Sequence, residues 1–245
     1  MNNMSFEIPD FEMPDFDVGG IDVDIDLSQF NLMGGYDEET RYVKPRLQAL
    51  KSTQIMYDNA VKLAKELRLG ANERADVIVS GAFIFGDFIE AFITENNVKC
   101  KKMTISTLSL SQDNIDSLAN LLDWGYIDEL NLIVSAYWFS HERWALAPYC
   151  YERLDKEDKF QLAVAGIHTK TCQFESLGGK KIVIHGSANL RSSGNIEQFT
   201  IEDNAQLYDF YNEIYSNILD RYATINKQIR GKDLWKEMIK KKFND

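Results

Sequence analysis

Three observations predict an α/β fold with a mixed, largely parallel sheet flanked by helices. Between residues 76 and 154, short apolar runs alternate with helical stretches, the rhythm of strand–helix–strand units. After residue 160 the rhythm changes to closely spaced β-prone runs, which calls for hairpin pairing at one part of the sheet. Hydrophobic residues make up 44% of the 245, with 14 Phe, 11 Tyr and 4 Trp, enough to bury a substantial core.

Element by element, the spacing of Val43, Leu47, Leu50, Ile55, Ala60, Leu63 and Leu67 predicts a helix over 39–69, ended by Gly70. A buried strand follows at 76–80, a helix at 83–95 and a strand at 102–107. The next helix, 112–124, has Ser111 or Asp113 available as its cap. A strand at 129–136 and a helix at 140–154 complete the alternating part. Strands are then predicted at 160–170, 171–175 and 181–185, the last two joined by the turn Ser176-Leu-Gly-Gly-Lys180. A helix over 204–230 presents Leu207, Phe210, Ile214, Ile218 and Tyr222 on one face.

Both ends of the chain differ from this body. Residues 1–39 hold eleven acids and no Lys or Arg, leaving 27 acids against 27 bases in the remainder. The net charge of −11 therefore belongs to the tail, and a polyanionic substrate is compatible with the neutral body. The repeat Glu7-Ile-Pro-Asp-Phe11, Glu12-Met-Pro-Asp-Phe16 and the alternation of residues 21–27 sit in this tail. Its Pro, Gly and single-sign charge predict disorder over 1–38, as a solubilising segment or as an added strand on a protein partner's sheet. Residues 227–245 read as a basic amphipathic helix, leaving 39–226 as the folded domain. No apolar run suits a membrane span and no secretory pattern opens the chain, so a cytoplasmic protein without integral membrane association is expected. Cys100, Cys150 and Cys172 are odd in number and lack metal-ligand spacing, as expected of reduced thiols.

The chemistry concentrates in residues 168–197. On a strand, His168 and Lys170 would project from one face, a group fit for proton transfer or nucleophilic attack beside a fixed positive charge. The hairpin returns the chain to Gly186-Ser187-Ala188-Asn189, where glycine permits close backbone approach and Ser187 and Asn189 offer neutral donors. Base, cation and donors converging on one spot make a cradle for phosphate or another oxyanion.

In order, these residues are H-x-K (His168, Lys170), G-S-x-N (Gly186, Ser187, Asn189) and N-x-E (Asn195, Glu197), and the pattern resembles the phospholipase D superfamily. The match spans about thirty residues directly. The resemblance implies a phospholipase D-like fold and a metal- and cofactor-independent phosphodiesterase. His168 would attack phosphorus to form a phosphohistidine. Lys170 and Asn189 would hold the non-bridging oxygens, with Asn195 also contacting substrate. Ser187 would hydrogen-bond nearby, and Glu197 would orient the imidazole of His168 or of its symmetry mate.

Two departures from the family pattern bear on this. The family's sites use two such motifs and this chain has one, so a complete site implies a homodimer. Glu175 stands where the motif's usual Asp would follow. His141 lacks a lysine two residues on and reads as a helix or loop residue; His185, on a strand, reads as structural; and Arg191 could meet phosphate or pair with an acid. The leading function is a homodimeric nuclease. The alternatives are a phosphodiesterase acting on phospholipid or a small molecule, and a non-catalytic phosphate- or partner-binding protein of the same fold.

Overall fold

The structure is a computed structural model, and it describes residues 51–80, 83–191 and 194–224. The predicted acidic tail (1–38), the basic C-terminal helix (227–245) and the first part of the predicted 39–69 helix lie outside the described residues.

Within 51–69 the single predicted helix is a strand followed by a short helix: β1 (Lys51–Tyr57), then α1 (Ala60–Glu66). Thr53, Ile55 and Tyr57 alternate with Ser52, Gln54 and Met56, and that period of two prevails because β1 pairs in parallel with β2 (Glu73–Val79). Asn59 restarts the chain as a helix by accepting from the amide of Lys62. The elements α2 (Phe85–Glu95), β3 (Cys100–Thr107), α3 (Gln112–Asp123) and β4 (Ile127–Ser135) fall close to their predicted places. Ser111 caps α3 in a reciprocal capping box with Asn114.

The helix predicted over 140–154 is two helices, α4 (Ala136–Glu142) and α5 (Leu146–Leu154). Pro148 lies in the first turn of α5, where its missing N–H costs nothing; inside one continuous helix it would break the ladder. Next come β5 (Phe160–Ala165), β6 (Thr171–Ser176) and β7 (Lys181–Gly186). One further strand, β8 (Glu197–Asp203), has no predicted counterpart, and α6 (Ala205–Tyr222) follows it.

The eight strands form one sheet in the order β1-β2-β8-β7-β6-β3-β4-β5. Parallel pairing joins β1 to β2 and runs through β3, β4 and β5; the joints at β8, β7 and β6 are antiparallel. Six of the eight strands consequently run one way, with β6 and β8 reversed, which is the mixed, largely parallel sheet expected.

The two faces differ sharply. One is packed by α1, α2, α3 and α5 over Val77, Ile105, Leu132, Leu162, Phe174, Ile184, Phe199 and Ile201. Phe88 of α2 is fully buried there, with its ring centroid 4.8 Å from that of Phe199. The other face meets α6 through Ile133, Ala163, Ala165, Tyr215 and Ile218. It also carries a run of buried polar side chains: Thr104, Ser106, Thr171, Gln173, Thr200 and Glu202. Of the predicted apolar stripe on α6, Ile218 is buried and Ile214 and Tyr222 pack against it, whereas Phe210 is 55% exposed.

All three cysteines are buried free thiols. Burial pushes the Cys100 thiol up to about 12. Among the described residues no helix is long and apolar enough to cross a membrane.

Candidate functional site

The predicted strand over 160–170 stops at Ala165. Residues 166–170 belong to no regular element and carry the chain from edge strand β5, past the ends of β4 and β3, to β6. His168 and Lys170 therefore owe their proximity to direct contact, not to strand alternation. The Lys170 ammonium lies 3.1 Å from Nδ1 of His168 and donates to the His168 carbonyl at 3.0 Å. His168 is exposed and Lys170 half-buried. Burial holds the Lys170 ammonium below the usual lysine range, while the nearby Glu197 carboxylate pulls it back up.

The start of β6, the end of β7 and the start of β8 meet at this end of the sheet, where the parallel strands also finish. That is where α/β sheets generally place their ligands. The amide of Gly186 donates to the Lys170 carbonyl at 3.2 Å, and that of Ser187 to the Gln198 carbonyl at 2.9 Å. These bonds extend the ladder beyond the strands and set Lys170, Ser187 and Glu197 side by side. Gly186 is required by the approach of β8, since a Cβ there would stand 2.2 Å from the Gln198 carbonyl oxygen and 2.6 Å from Cα of Phe199.

Ser187 is held on both sides: its hydroxyl donates to the Glu197 carboxylate and accepts from the Gln198 amide at 3.1 Å. Asn189 sits between Ala188 and Leu190, both inserted in the core, and the Leu190 carbonyl accepts from the amide of Gly86 at 2.8 Å. A Cβ at residue 86 would stand 2.4 Å from the Asn114 amide nitrogen on α3 and 3.3 Å from the Leu190 carbonyl oxygen, so glycine lets the first turn of α2 press against α3 and this loop. Oδ1 of Asn189 is buried with no hydrogen-bond partner among the described residues. The hydrogen-bonding capacity of that side chain is therefore not fully used.

Of the predicted set, His168, Lys170, Gly186, Ser187, Asn189 and Glu197 are thus grouped at one end of β6, β7 and β8. Asn195 is exposed on the approach to β8. Arg191 is also exposed. Glu175 pairs with Lys181 at the far end of β6, away from the site. His141 lies exposed on α4 with Nδ1 2.8 Å from the Tyr137 carbonyl. His185 is a structural partner, its Nε2 2.9 Å from the Glu202 carboxylate on the α6 face. Among the described residues no group of His, Cys, Asp and Glu could hold a metal ion.

Two parts of this arrangement had no forecast. Gly86 carried no pattern that would single it out. The hydroxyls of Ser106 and Tyr215, which meet those of Thr169 and Thr171, come from elements far from them in sequence.

No protein-family model matches the sequence, and no curated protein matches it. Solved structures of similar fold include members of the phospholipase D superfamily. Nuc from Salmonella typhimurium, a phospholipase D family member, aligns over 51% of this chain and 81% of its own, at 12% identity and a TM-score of 0.40. NucT from Helicobacter pylori aligns over 62% of this chain and 99% of its own, at 14% identity and a TM-score of 0.40. Phosphatidylserine synthase from Haemophilus influenzae Rd KW20 aligns over 68% of this chain but only 44% of its own, at 14% identity and a TM-score of 0.45.

Proposed function

We propose that this chain is a phospholipase D-like phosphodiesterase, acting as a metal-independent nuclease through a homodimer. The observation that carries the reading is the grouping of His168, Lys170, Ser187, Asn189 and Glu197 at one sheet end, with a buried Asn189 amide oxygen left without a partner among the described residues. A ring nitrogen of His168 bonds to phosphorus as the P–O bond to the leaving group breaks, and the same histidine of a second copy protonates the departing oxygen. Water then attacks the phosphohistidine, giving up its proton to the second histidine and freeing His168. Lys170 and Asn189 neutralise the charge that develops on the non-bridging oxygens, and Asn195 adds a substrate contact. Glu197 acts through Ser187 and through its field on Lys170, and in the dimer it orients the imidazole of His168 or of its symmetry mate.

Nucleic acid is the favoured substrate because aromatic faces stand exposed beside an imidazole on α4 and a guanidinium just after it. Tyr137 is 65% exposed with its ring 4.3 Å from that of His141, and the Arg143 guanidinium lies 5.5 Å from the Trp144 ring. A cytoplasmic site of action and a protein partner for residues 1–38 belong to the same reading; the three buried thiols suit a reducing compartment.

The test is cleavage of single- and double-stranded DNA, RNA and a chromogenic phosphodiester in EDTA, with His168→Ala alongside. Cleavage that resists EDTA and falls on the order of 10³-fold or more in the variant is expected. Retained cleavage in the variant, or none by the wild type, overturns the reading. Titrating His168→Ala into wild type tests the shared site. After subunit exchange at equal amounts, activity should drop to about half that of the wild type alone, because mixed dimers keep one His168 where the site needs two. Additive activity would sink the dimeric site.

A further inference from the structure

Residues 166–170 carry the proposed nucleophile and its cation yet have no strand or helix of their own. A displacement of about 1 Å at a reacting group can cost on the order of 10² in rate, so something must fix this segment. Its flanks are tied by two backbone bonds: the Ile167 amide donates to the Ala165 carbonyl at 2.9 Å, and the Lys170 carbonyl accepts from Gly186. Thr169, between the two functional residues, is held differently. Its hydroxyl is 2.6 Å from Oγ of Ser106, which also reaches the Thr169 carbonyl at 3.3 Å.

Ser106 is 1% exposed on β3 and sits opposite Thr171 of β6 in the strand register. The Thr171 hydroxyl is in turn 2.7 Å from the phenol of Tyr215, which is 2% exposed in the middle of α6 and stacks on Tyr211. Ser106 thus ties Thr169 to β3, and Tyr215 ties Thr171, the residue after Lys170, to α6.

Elsewhere under α6 the sheet offers Ile133, Ala163 and Ala165, side chains that bury α6 without needing partners. Behind residues 168–170 the same face carries paired hydroxyls instead. Each hydroxyl both donates and accepts, so removing that of Thr169 leaves the buried Ser106 without its hydroxyl partner, and removing that of Tyr215 leaves the buried Thr171 unpaired. We propose that Ser106, Thr169, Thr171 and Tyr215 are positioning residues that lock the His168–Lys170 segment to β3 and α6. This rests on the phosphodiesterase reading for its catalytic consequence, but the placement of His168 is a property of the protein at rest. Helix α6 then supports catalysis without touching substrate.

The experiment uses the full chain with Ser106→Ala, Tyr215→Phe, Thr169→Val and the conservative Thr169→Ser. On a chromogenic phosphodiester, Ser106→Ala and Thr169→Val should each lower kcat by about 10- to 100-fold with KM within about threefold. Tyr215→Phe should lower kcat by about tenfold and Thr169→Ser by less than about threefold. The double variant Ser106→Ala/Thr169→Val should be no worse than either single one, since both cut the same link. The chain has 3 histidines, so His168 can be followed alone by side-chain NMR. Its side-chain signals should shift in Ser106→Ala and keep their wild-type positions in Thr169→Ser, while those of His141 and His185 stay unchanged.

Unchanged kcat and an unmoved His168 signal in Ser106→Ala and Tyr215→Phe would overturn the proposal, and so would a kcat loss that merely tracks the unfolded fraction. If the wild type cleaves nothing but the His168 signal responds as described, the phosphodiesterase reading fails and the positioning stands. Wild-type turnover that survives every variant removes the positioning alone.

Discussion

The two faces of the sheet stabilise this protein in different ways. The face under α1, α2, α3 and α5 is apolar throughout, with Phe88, Phe174 and Phe199 fully buried. Its contribution is area removed from water, which has no direction and no dependence on protonation. The face under α6 combines a small apolar patch with hydrogen-bonded polar groups, among them buried Glu202, Ser106 and Thr171 and half-buried His185. Such groups contribute little net stability each, yet they fix geometry, because an unmade buried bond costs more than a made one yields. The apolar face holds the sheet together, and the polar face places the segment that runs over its end.

The largest effect expected is on the apolar face. Phe88→Ala should destabilise the fold by about 3–5 kcal/mol, by the same amount at neutral and acid pH. Denaturant unfolding at two pH values checks this, and a strong pH dependence would break the contrast between faces. On the polar face, Glu202→Gln should cost about 1–2 kcal/mol near neutral pH. Burial pushes the Glu202 carboxyl up, but the bonds from His185 and Asn204 outweigh it and hold the group below the usual glutamate range. A depressed carboxylate contributes stability that is complete above its unfolded value, about 4.3, and is lost as pH falls through the lower folded value. Wild type and variant should therefore converge in acid. A gap that persists below that window would mean that packing, not charge, is what Glu202 supplies.

The smallest effect concerns Lys170. Because burial lowers its ammonium, with Glu197 opposing, the alkaline limb of kcat/KM should fall below the ordinary lysine value of about 10.4. Lys170→Arg should retain its charge and move that limb upward, at a cost of about tenfold in rate from the altered fit. A limb that stays in place in the variant would assign it to another group.

Much of this was legible along the chain. The strands with continuous apolar runs, such as Leu132–Val134 in β4, and the capped helix α3 needed only local information. So did the order of the motif residues, since His168, Lys170, Gly186, Ser187, Asn189 and Glu197 lie within thirty positions. Where two periods competed, neighbours decided. Residues 51–57 fit a helical spacing and an alternating one, and pairing with β2 selected the strand. β8 was missed although Phe199 and Ile201 alternate with polar neighbours, because Glu197, Gln198, Glu202 and Asp203 disguise a strand at the centre of the sheet. Thr200 and Glu202 are tolerable there because Asp76, His185 and Asn204, from other elements, bond to them.

The sequence by itself determined which chemical groups travel together: an imidazole, an ammonium, an amide, a hydroxyl and a carboxylate spaced around one hairpin. It also determined that glycine would occupy residue 186. Only the tertiary structure decided that His168 and Lys170 sit on an irregular crossing and not on a strand. It alone decided that Gly186 is needed because β8 passes 2.2 Å from where a Cβ would stand. The reason is range. Residue type and spacing act over a turn or a pleat, whereas the bonds that hold Thr169 come from β3, 63 residues before it, and those that anchor Thr171 come from α6, 44 residues after it.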